Sequence, residues 1–484
     1  MKRSTTPWLA PGVLAAAALL AACAPIPKLA DPARTLTPAQ AGLQASHAAE
    51  LRADWWTEFK DPQLDALIER ALAESPSLAG ARARIAKARA LTEAFEANER
   101  PQLGAGVDVT RERLSGKGIY PAPLGGNWWT LANAQLNVSY EWDFFGRNKA
   151  ELAAAIGARQ AALAEGAAAR LMLSSQVARS YLALARALAQ RELLQQQLAE
   201  REDALALVRQ RVQAGLDNEQ DLRGAETPLP ELRRQRVALD EQAALLRHQL
   251  AALTVQPGEA LDGLAPRLPA ELALRPNAAQ VGLDLLGRRP DVVAARWRVE
   301  AATQQVTAAR AQFYPNISLN AFAGFNSLGL DHLANAGARQ LGFGPSLRLP
   351  IFDTGRLGAN LRGSAADADA AVAAYNAALL EAVRDARDQL VSVGSLQRQQ
   401  LEQRAALDNA QASLGLAESR FQAGLGSRLA VLSARGNLLA QQRQDLDLRG
   451  QTLEYQVNLV RSLGGGWNEA ATATAATTAT NAQQ

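Results

Sequence analysis

The 484-residue sequence predicts an α+β membrane protein built by internal duplication. Each chain would give four strands to a shared β-barrel and two long antiparallel helical hairpins to a coiled-coil tunnel. Three observations predict this class: a repeat of more than 200 residues, four stretches of strict period-two alternation, and helical segments of about 65 residues.

The repeat shows first in two similar phrases, RVQAGLDNE at 211–219 and RFQAGLGSR at 420–428, whose Gly215 and Gly424 lie 209 residues apart. Gly146-Arg147 stands 209 residues before Gly355-Arg356, so the register holds across the intervening helix. Upstream the offset becomes 214, with Pro76 on Pro290, Ala81 on Ala295, Arg82 on Arg296 and Pro101 on Pro315. The first copy therefore carries five extra residues between Pro101 and Gly146. Solenoid units repeat every ~20–50 residues, so the duplicated unit is the size of a domain.

The N-terminus reads MKRSTTPWLAPGVLAAAALLAAC. Lys2 and Arg3 precede an apolar stretch, Val13 to Ala22, that is too short to cross a bilayer and has the form of an export signal. The stretch ends Leu20-Ala21-Ala22-Cys23, and Cys23 is the only cysteine in the chain. An ordinary secretory signal with an incidental cysteine is the bland alternative. A bacterial lipobox is the better reading: cleavage before Cys23, S-diacylglycerol on its sulfur and N-palmitoyl on the freed amine. Ala24 rather than aspartate follows, as in lipoproteins sent on to the outer membrane. With Cys23 lipidated, no thiol is left for a disulfide or a metal site. The formal charge is +3, or +1 without Lys2 and Arg3, so nothing calls for nucleic acid. No later apolar run reaches about 20 residues, hence any membrane crossing must use strands.

Four stretches supply them. From Ala132 to Phe144 every even position is apolar while the odd ones are Asn133, Gln135, Asn137, Ser139, Glu141 and Asp143. Leu341, Phe343, Pro345, Leu347, Leu349 and Ile351 alternate likewise with Gly342, Gly344, Ser346, Arg348 and Pro350. Leu103–Val109 and Ile317–Phe325 are shorter versions. Such alternation is the signature of strands with one face in lipid or core. The strands are expected at about 102–111, 131–145, 316–327 and 340–352. Pro101 and Pro315 end the incoming helices because proline lacks the donor a helix needs, and Gly146 and Gly355 mark the strand-to-helix junctions. Trp128 and Trp129 at one end, with Trp142, Phe144 and Phe145 at the other, would form two aromatic girdles. A half-buried soluble sandwich is the alternative. If the strands span lipid, four cannot close a barrel alone. Three copies would give twelve strands, whereas two would give eight and little room for a channel.

Between Arg147 and about Gln213 there is no proline, and apolar residues step by three and four through Val177, Tyr181, Leu184, Leu188, Leu194, Leu198, Leu205, Val208 and Val212. Leu407, Ala410, Leu414, Ala417 and Phe421 keep the same spacing in the second copy, as a coiled-coil seam requires. At 1.5 Å per residue such helices approach ~100 Å. Gly215 and Gly424 fall where each must reverse, since glycine accepts the left-handed conformation of a helix end. Return helices are expected at about 219–253 and 429–463, with a local kink at Pro228 and Pro230.

WWTEFKDPQLDALIERAL (55–72), LLGRRPDVVAAR (285–296), AQFYPNISL (311–319), RLPIFDTGR (348–356) and NLVRSLGGGW (458–467) complete the pattern. The chain resembles the TolC-like outer membrane factors, in particular the NodT-type lipoprotein branch of tripartite efflux systems. The resemblance covers nearly the whole mature chain. It implies an outer-membrane homotrimer with a 12-stranded barrel, a periplasmic helical tunnel and a mixed belt around it. The partners implied are a periplasmic adaptor, or membrane fusion protein, and an inner-membrane transporter of the resistance-nodulation-division (RND) class. The function implied is passive conduction of small molecules out of the cell, gated at the periplasmic helical tip. The domains read as signal peptide 1–22, lipidated tether 23–50, first repeat 51–253, linker 254–276 within the belt, second repeat 277–467 and a disordered tail 468–484.

In the family the constriction is commonly lined by apolar and acidic residues on the second return helix. Leu429 matches the apolar ring. Ala430 and Ser433 occupy positions where relatives often carry aspartate, so an acidic ring does not carry over. Leu429 and Ser433 are therefore gate candidates, with Asp217 and Asp221 of the first hairpin, although the latter also read as a solvated turn. His47, His248 and His332 lack metal-ligand spacing, and no phosphate loop or nucleophile elbow appears. No metal, cofactor or enzymatic activity is expected beyond the lipid on Cys23. Two rivals remain: an exit duct for type I protein secretion, and a lipid-anchored periplasmic coiled-coil scaffold that forms no channel.

Overall fold

The computed structural model describes residues 25–37, 39–41, 51–269 and 288–469. The signal peptide, Cys23, most of the tether, part of the linker and nearly all of the tail lie outside the described residues. The chain divides into two compact units.

The first unit comprises 1–35, 84–162 and 295–375 and contains the sheet. Its strands are β1 (Gln102–Arg113), β2 (Trp128–Trp142), β3 (Asn316–Leu328) and β4 (Arg339–Arg348). They form an antiparallel meander in the order β1-β2-β3-β4. In register, Leu103 faces Val138, Leu136 faces Ala323, and Ala321 faces Phe343. Directly paired residues share a face, so every apolar position of the alternating stretches that falls within a strand lies on one side. The other side carries Asn133, Gln135, Asn137, Asn320 and Gln340, with Gln340 Nε2 donating to Asn133 Oδ1 at 2.9 Å.

β1 runs on to Arg113 and β2 begins already at Trp128, whereas β2 and β4 both end earlier than expected. β2 stops at Trp142 because Asp143 turns to cap the next helix, its Oδ2 accepting from Lys149 N at 2.9 Å. Phe144 and Phe145 thus sit in a turn, where Phe145 stacks on Tyr314 with ring centroids 4.7 Å apart. β4 ends at Arg348, just ahead of Pro350, which has no N–H to continue a ladder. An N-terminal strap lies in the same unit, with Leu29 packed beside Phe313, Leu357 and Leu361 and Ala33 N donating to Asp369 Oδ1 at 2.8 Å.

The second unit comprises 36–83, 163–294 and 376–484 and is helical. The chain's helices are α1 (Pro62–Glu74), α2 (Pro76–Asn98), α3 (Arg147–Gln213), α4 (Glu219–Glu226), α5 (Pro228–Leu253), α6 (Pro290–Ala311), α7 (Thr354–Gln422) and α8 (Arg428–Ser462). Some of them contribute residues to both units. Asp61 starts α1, its carboxylate accepting from Gln63 N and Leu64 N with Pro62 at the first position. The same Asp61 accepts from the buried Tyr181 hydroxyl at 2.6 Å. Around this bond Trp55, Leu64, Ile68, Val177, Leu184, Leu250 and Val457 form the main core, and full burial of each such side chain contributes about 1.5–3 kcal/mol.

Two apolar seams extend from it. One joins Leu194, Leu198 and Leu205 of α3 to Leu229, Leu232 and Leu239. The other joins Ala410 and Leu414 of α7 to Leu438 of α8. Phe421 does not extend the second seam and is 44% exposed, because α7 ends at Gln422 and the return helix begins only at Arg428. The proline interruption leaves Thr227 between α4 and α5 with φ −55° and ψ −41°. The ladder lacks the donors of Pro228 and Pro230, yet Thr227 keeps helical dihedrals and its N–H still donates to Arg223 O at 3.1 Å.

The quoted motifs acquire physical roles. Arg289, within the RRPD phrase, is buried and donates to Asp291 at 2.7 Å, Asp385 at 3.2 Å and Ser462 O at 3.2 Å. The three glycines of NLVRSLGGGW all have positive φ. A Cβ on Gly465 would stand 2.2 Å from Leu171, and one on Gly466 2.3 Å from Arg52.

Candidate functional site

Both hairpin tips close by one device. Leu216 N donates to Arg211 O at 2.8 Å and Gly215 N to Val212 O at 3.0 Å, and at the second tip Leu425 N donates to Arg420 O and Gly424 N to Phe421 O at the same distances. These are Schellman turns, with Gly215 at φ 70° and Gly424 at φ 72°. The leucine after each glycine stands free, Leu216 being 68% and Leu425 74% exposed. No sequence argument had singled them out, although the repeated Ala-Gly-Leu was visible in both phrases.

Downstream the tips differ. Asp217 accepts two bonds of 2.7 Å from Arg211, and that guanidinium holds its carboxyl below the usual range. Asp221 forms a capping box with Asn218, each accepting from the other's backbone N–H at 3.1 Å. Both acids of the first tip are therefore engaged in folding the turn. At the second tip, 209 residues on, Gly426 and Ala430 replace them, and Ser427 alone caps α8 through Ala430 N at 3.2 Å. Leu429 and Ser433 lie one turn apart on the same face of α8 and are exposed, as are Asn437, Ala440 and Gln444. This stripe bears no charge. The opposite face is buried and ties α8 to both hairpins. Arg435 donates to Glu200 of α3 and Glu418 of α7, Arg443 donates to Gln235 of α5, and Gln190 donates to Asp447.

In the first unit, Pro101 immediately precedes β1 and Pro315 immediately precedes β3. The junctions after the sheet are not equivalent. Gly146, at φ 74°, accepts the first helical bond of α3 from Ala150 N at 3.0 Å. Gly355 is already the second residue of α7, whose first bond is accepted by Asp353. The sheet leaves β1 and β4 as edges without a hydrogen-bonded neighbour among the described residues. Its apolar face is open, with Leu103, Val107, Leu341 and Phe343 each at least 70% exposed. No described helix is long and apolar enough to cross a membrane, and no described cluster of His, Cys, Asp or Glu is suited to a metal.

The sequence profile of the outer membrane efflux protein family matches this chain twice, at residues 67–255 and 283–465. The chain belongs to that family. The double match falls on the two copies of the repeat. As an outer membrane efflux protein it is non-enzymatic and resides in the outer membrane. The chain is 34% identical over 468 residues to the multidrug resistance outer membrane protein MdtP of Escherichia coli K12, covering 94% of this chain and 96% of that protein. It is 33% identical over 473 residues to MdtQ of Escherichia coli O157:H7, covering 93% and 96%. The outer membrane protein VceC of Vibrio cholerae superposes with a TM-score of 0.78 at 34% identity, covering 86% of this chain and all of that one. The outer-membrane channel OprN superposes with a TM-score of 0.78 at 27% identity, covering 92% and 100%. For an outer membrane efflux protein, the open apolar face of the sheet is the face toward lipid.

Proposed function

We propose that three copies of the chain assemble into a passive exit duct for small molecules, the outer-membrane part of a tripartite efflux pump. The carrying observation is the four-stranded meander with two unpaired edges and one continuous apolar face. Unsatisfied strand edges are not tolerated in hydrocarbon, so β4 of one copy must pair with β1 of the next. An antiparallel meander permits this repeatedly, and three copies close at twelve strands. Lipid on Cys23, suggested by the Leu-Ala-Ala-Cys sequence, would anchor each copy beside the barrel. The multidrug names of MdtP and MdtQ support small-molecule cargo over secreted protein.

The periplasmic gate is assigned to the second hairpin, where Leu429 and Ser433 lead an uncharged stripe. Arg435–Glu200 and its neighbours hold α8 against the first hairpin, so opening must break them. Leu216 and Leu425 at the tips offer apolar anchors to a periplasmic adaptor, which would couple the duct to an RND-type inner-membrane transporter. Conductance of the purified assembly in planar bilayers, beside Leu429→Ala, tests the reading. Small, rarely open steps that enlarge in the variant are expected. Large steps in both would move the gate, and no conductance from folded protein would favour the scaffold.

A further inference from the structure

Arginines end the apolar face of the sheet, and only on the two edge strands. On β1, Arg111 and Arg113 continue the row Leu103, Ala105, Val107, Val109; on β4, Arg339 precedes Leu341, Phe343, Pro345 and Leu347 on the same face. All three are exposed. They stand at the hairpin-loop end of the strands, away from the ends that join helices. Arg113 pairs directly across from Trp128, and Arg339 across from Phe325. Arg113 Nε donates to Gly126 O at 3.1 Å. Arg111 and Arg339 have no side-chain hydrogen bond or ion pair among the described residues. No strand residue on this face is a carboxylate: Asp108, Glu112 and Glu141 point to the opposite side, and Asp331 in the nearby loop pairs with His332 at 3.1 Å.

We propose that each seam between copies binds a phosphorylated lipid of the outer leaflet through Arg111, Arg113 and the neighbouring copy's Arg339. The proposal rests on the oligomeric barrel put forward above, because only closure brings β4 beside β1. Antiparallel pairing of β4 with the next copy's β1 along their full lengths sets Arg339 at the Arg111–Arg113 end of that strand, on strands about 4.8 Å apart, so the three guanidinium groups gather at the loop end of the apolar face. An unpaired guanidinium facing lipid is costly unless it meets a headgroup anion. Arginine binds phosphate bidentately and keeps its charge at any accessible pH. Trp128 and Phe325 beside these arginines fit the boundary between acyl chain and headgroup, where aromatic girdles lie. A lipid with phosphates on its headgroup and several acyl chains, as in lipid A, satisfies both halves of the site.

The test titrates bis-phosphorylated lipid A into the detergent-solubilised full-length assembly, with the oligomeric mass measured on the same samples. Wild-type protein is expected to bind it at least about tenfold more tightly than Arg111→Gln/Arg339→Gln. The double Arg→Lys variant should fall between wild type and the Gln variant, because lysine keeps the charge but not the bidentate fork, and phosphate-free lipid A should not distinguish the proteins. Equal binding by wild type and the Gln variant, in an intact assembly, would overturn the lipid site and leave the barrel standing. Equal binding of phosphate-free lipid A would overturn it too. A single-chain mass would remove the seam and refute the site together with the oligomeric reading.

Discussion

Arg435 of α8 donates to Glu200 of α3 at 3.2 Å, joining two residues 235 positions apart. Its other terminal nitrogen reaches Glu418 of α7 at 3.0 Å. One guanidinium thus links the second return helix to its own partner and to the first hairpin. Both sides of the pair are partly solvated, so each clasp is worth about 1 kcal/mol. Glu200→Gln should raise the open probability in bilayer recordings about fivefold per clasp. An unchanged open probability would show that α8 is held by its apolar seam alone.

The exposed stripe of Leu429, Ser433, Asn437, Ala440 and Gln444 carries no charge, so the wild-type duct should discriminate weakly between potassium and chloride. Ser433→Asp would place one carboxylate per copy on that stripe, and a ring of like charge concentrates counter-ions. Reversal potentials in a potassium chloride gradient should shift several-fold toward cation permeability in the variant. Strong cation selectivity in the wild type would locate an acidic constriction elsewhere.

Val255 has φ 54° and ends α5 as Gly464 ends α8, 209 residues later. Val255 N donates to Ala252 O and Gln256 N to Ala251 O, which is the same Schellman turn. A β-branched residue is strained in that region. Val255→Gly should stabilise the fold by about 1 kcal/mol after the entropic cost of glycine, read as a raised thermal midpoint. A lowered midpoint would mean that the valine side chain packs more favourably than its backbone is strained.

Arg289 is the most buried charge among the described residues of the helical unit, at 8% side-chain exposure. Burial raises the pKa of Asp291, but the hydrogen bonds and charge of Arg289 more than reverse this and leave it below the ordinary carboxylate range. A folded-state pKa below the unfolded one gives stability that is present above about pH 4 and is lost as pH falls further. Arg289→Gln should cost about 2 kcal/mol at neutral pH, because Asp291 and Asp385 each lose a charged hydrogen-bond donor, Arg461 remaining on Asp385. The gap to wild type should narrow below pH 4 in unfolding curves taken at stepwise pH. A gap independent of pH would assign the loss to packing alone.

The sequence by itself determined the class of this protein. Period-two alternation from Ala132, proline-free heptads from Arg147 and two matching glycine phrases are local patterns that only strands, long helices and their reversals satisfy. The tertiary structure decided which residues meet. The sequence does not show what Asp217 and Asp221 touch, and the structure bonds them to Arg211 and Asn218 within the turn. The Phe421 position continued a heptad in sequence but has no helix opposite. The Arg435–Glu200 clasp and the shared face of Arg111 and Arg339 join residues more than 200 positions apart. Caps and periodicities arise from chain geometry within a few residues. Pairings at that distance depend on register and packing, which no local pattern encodes.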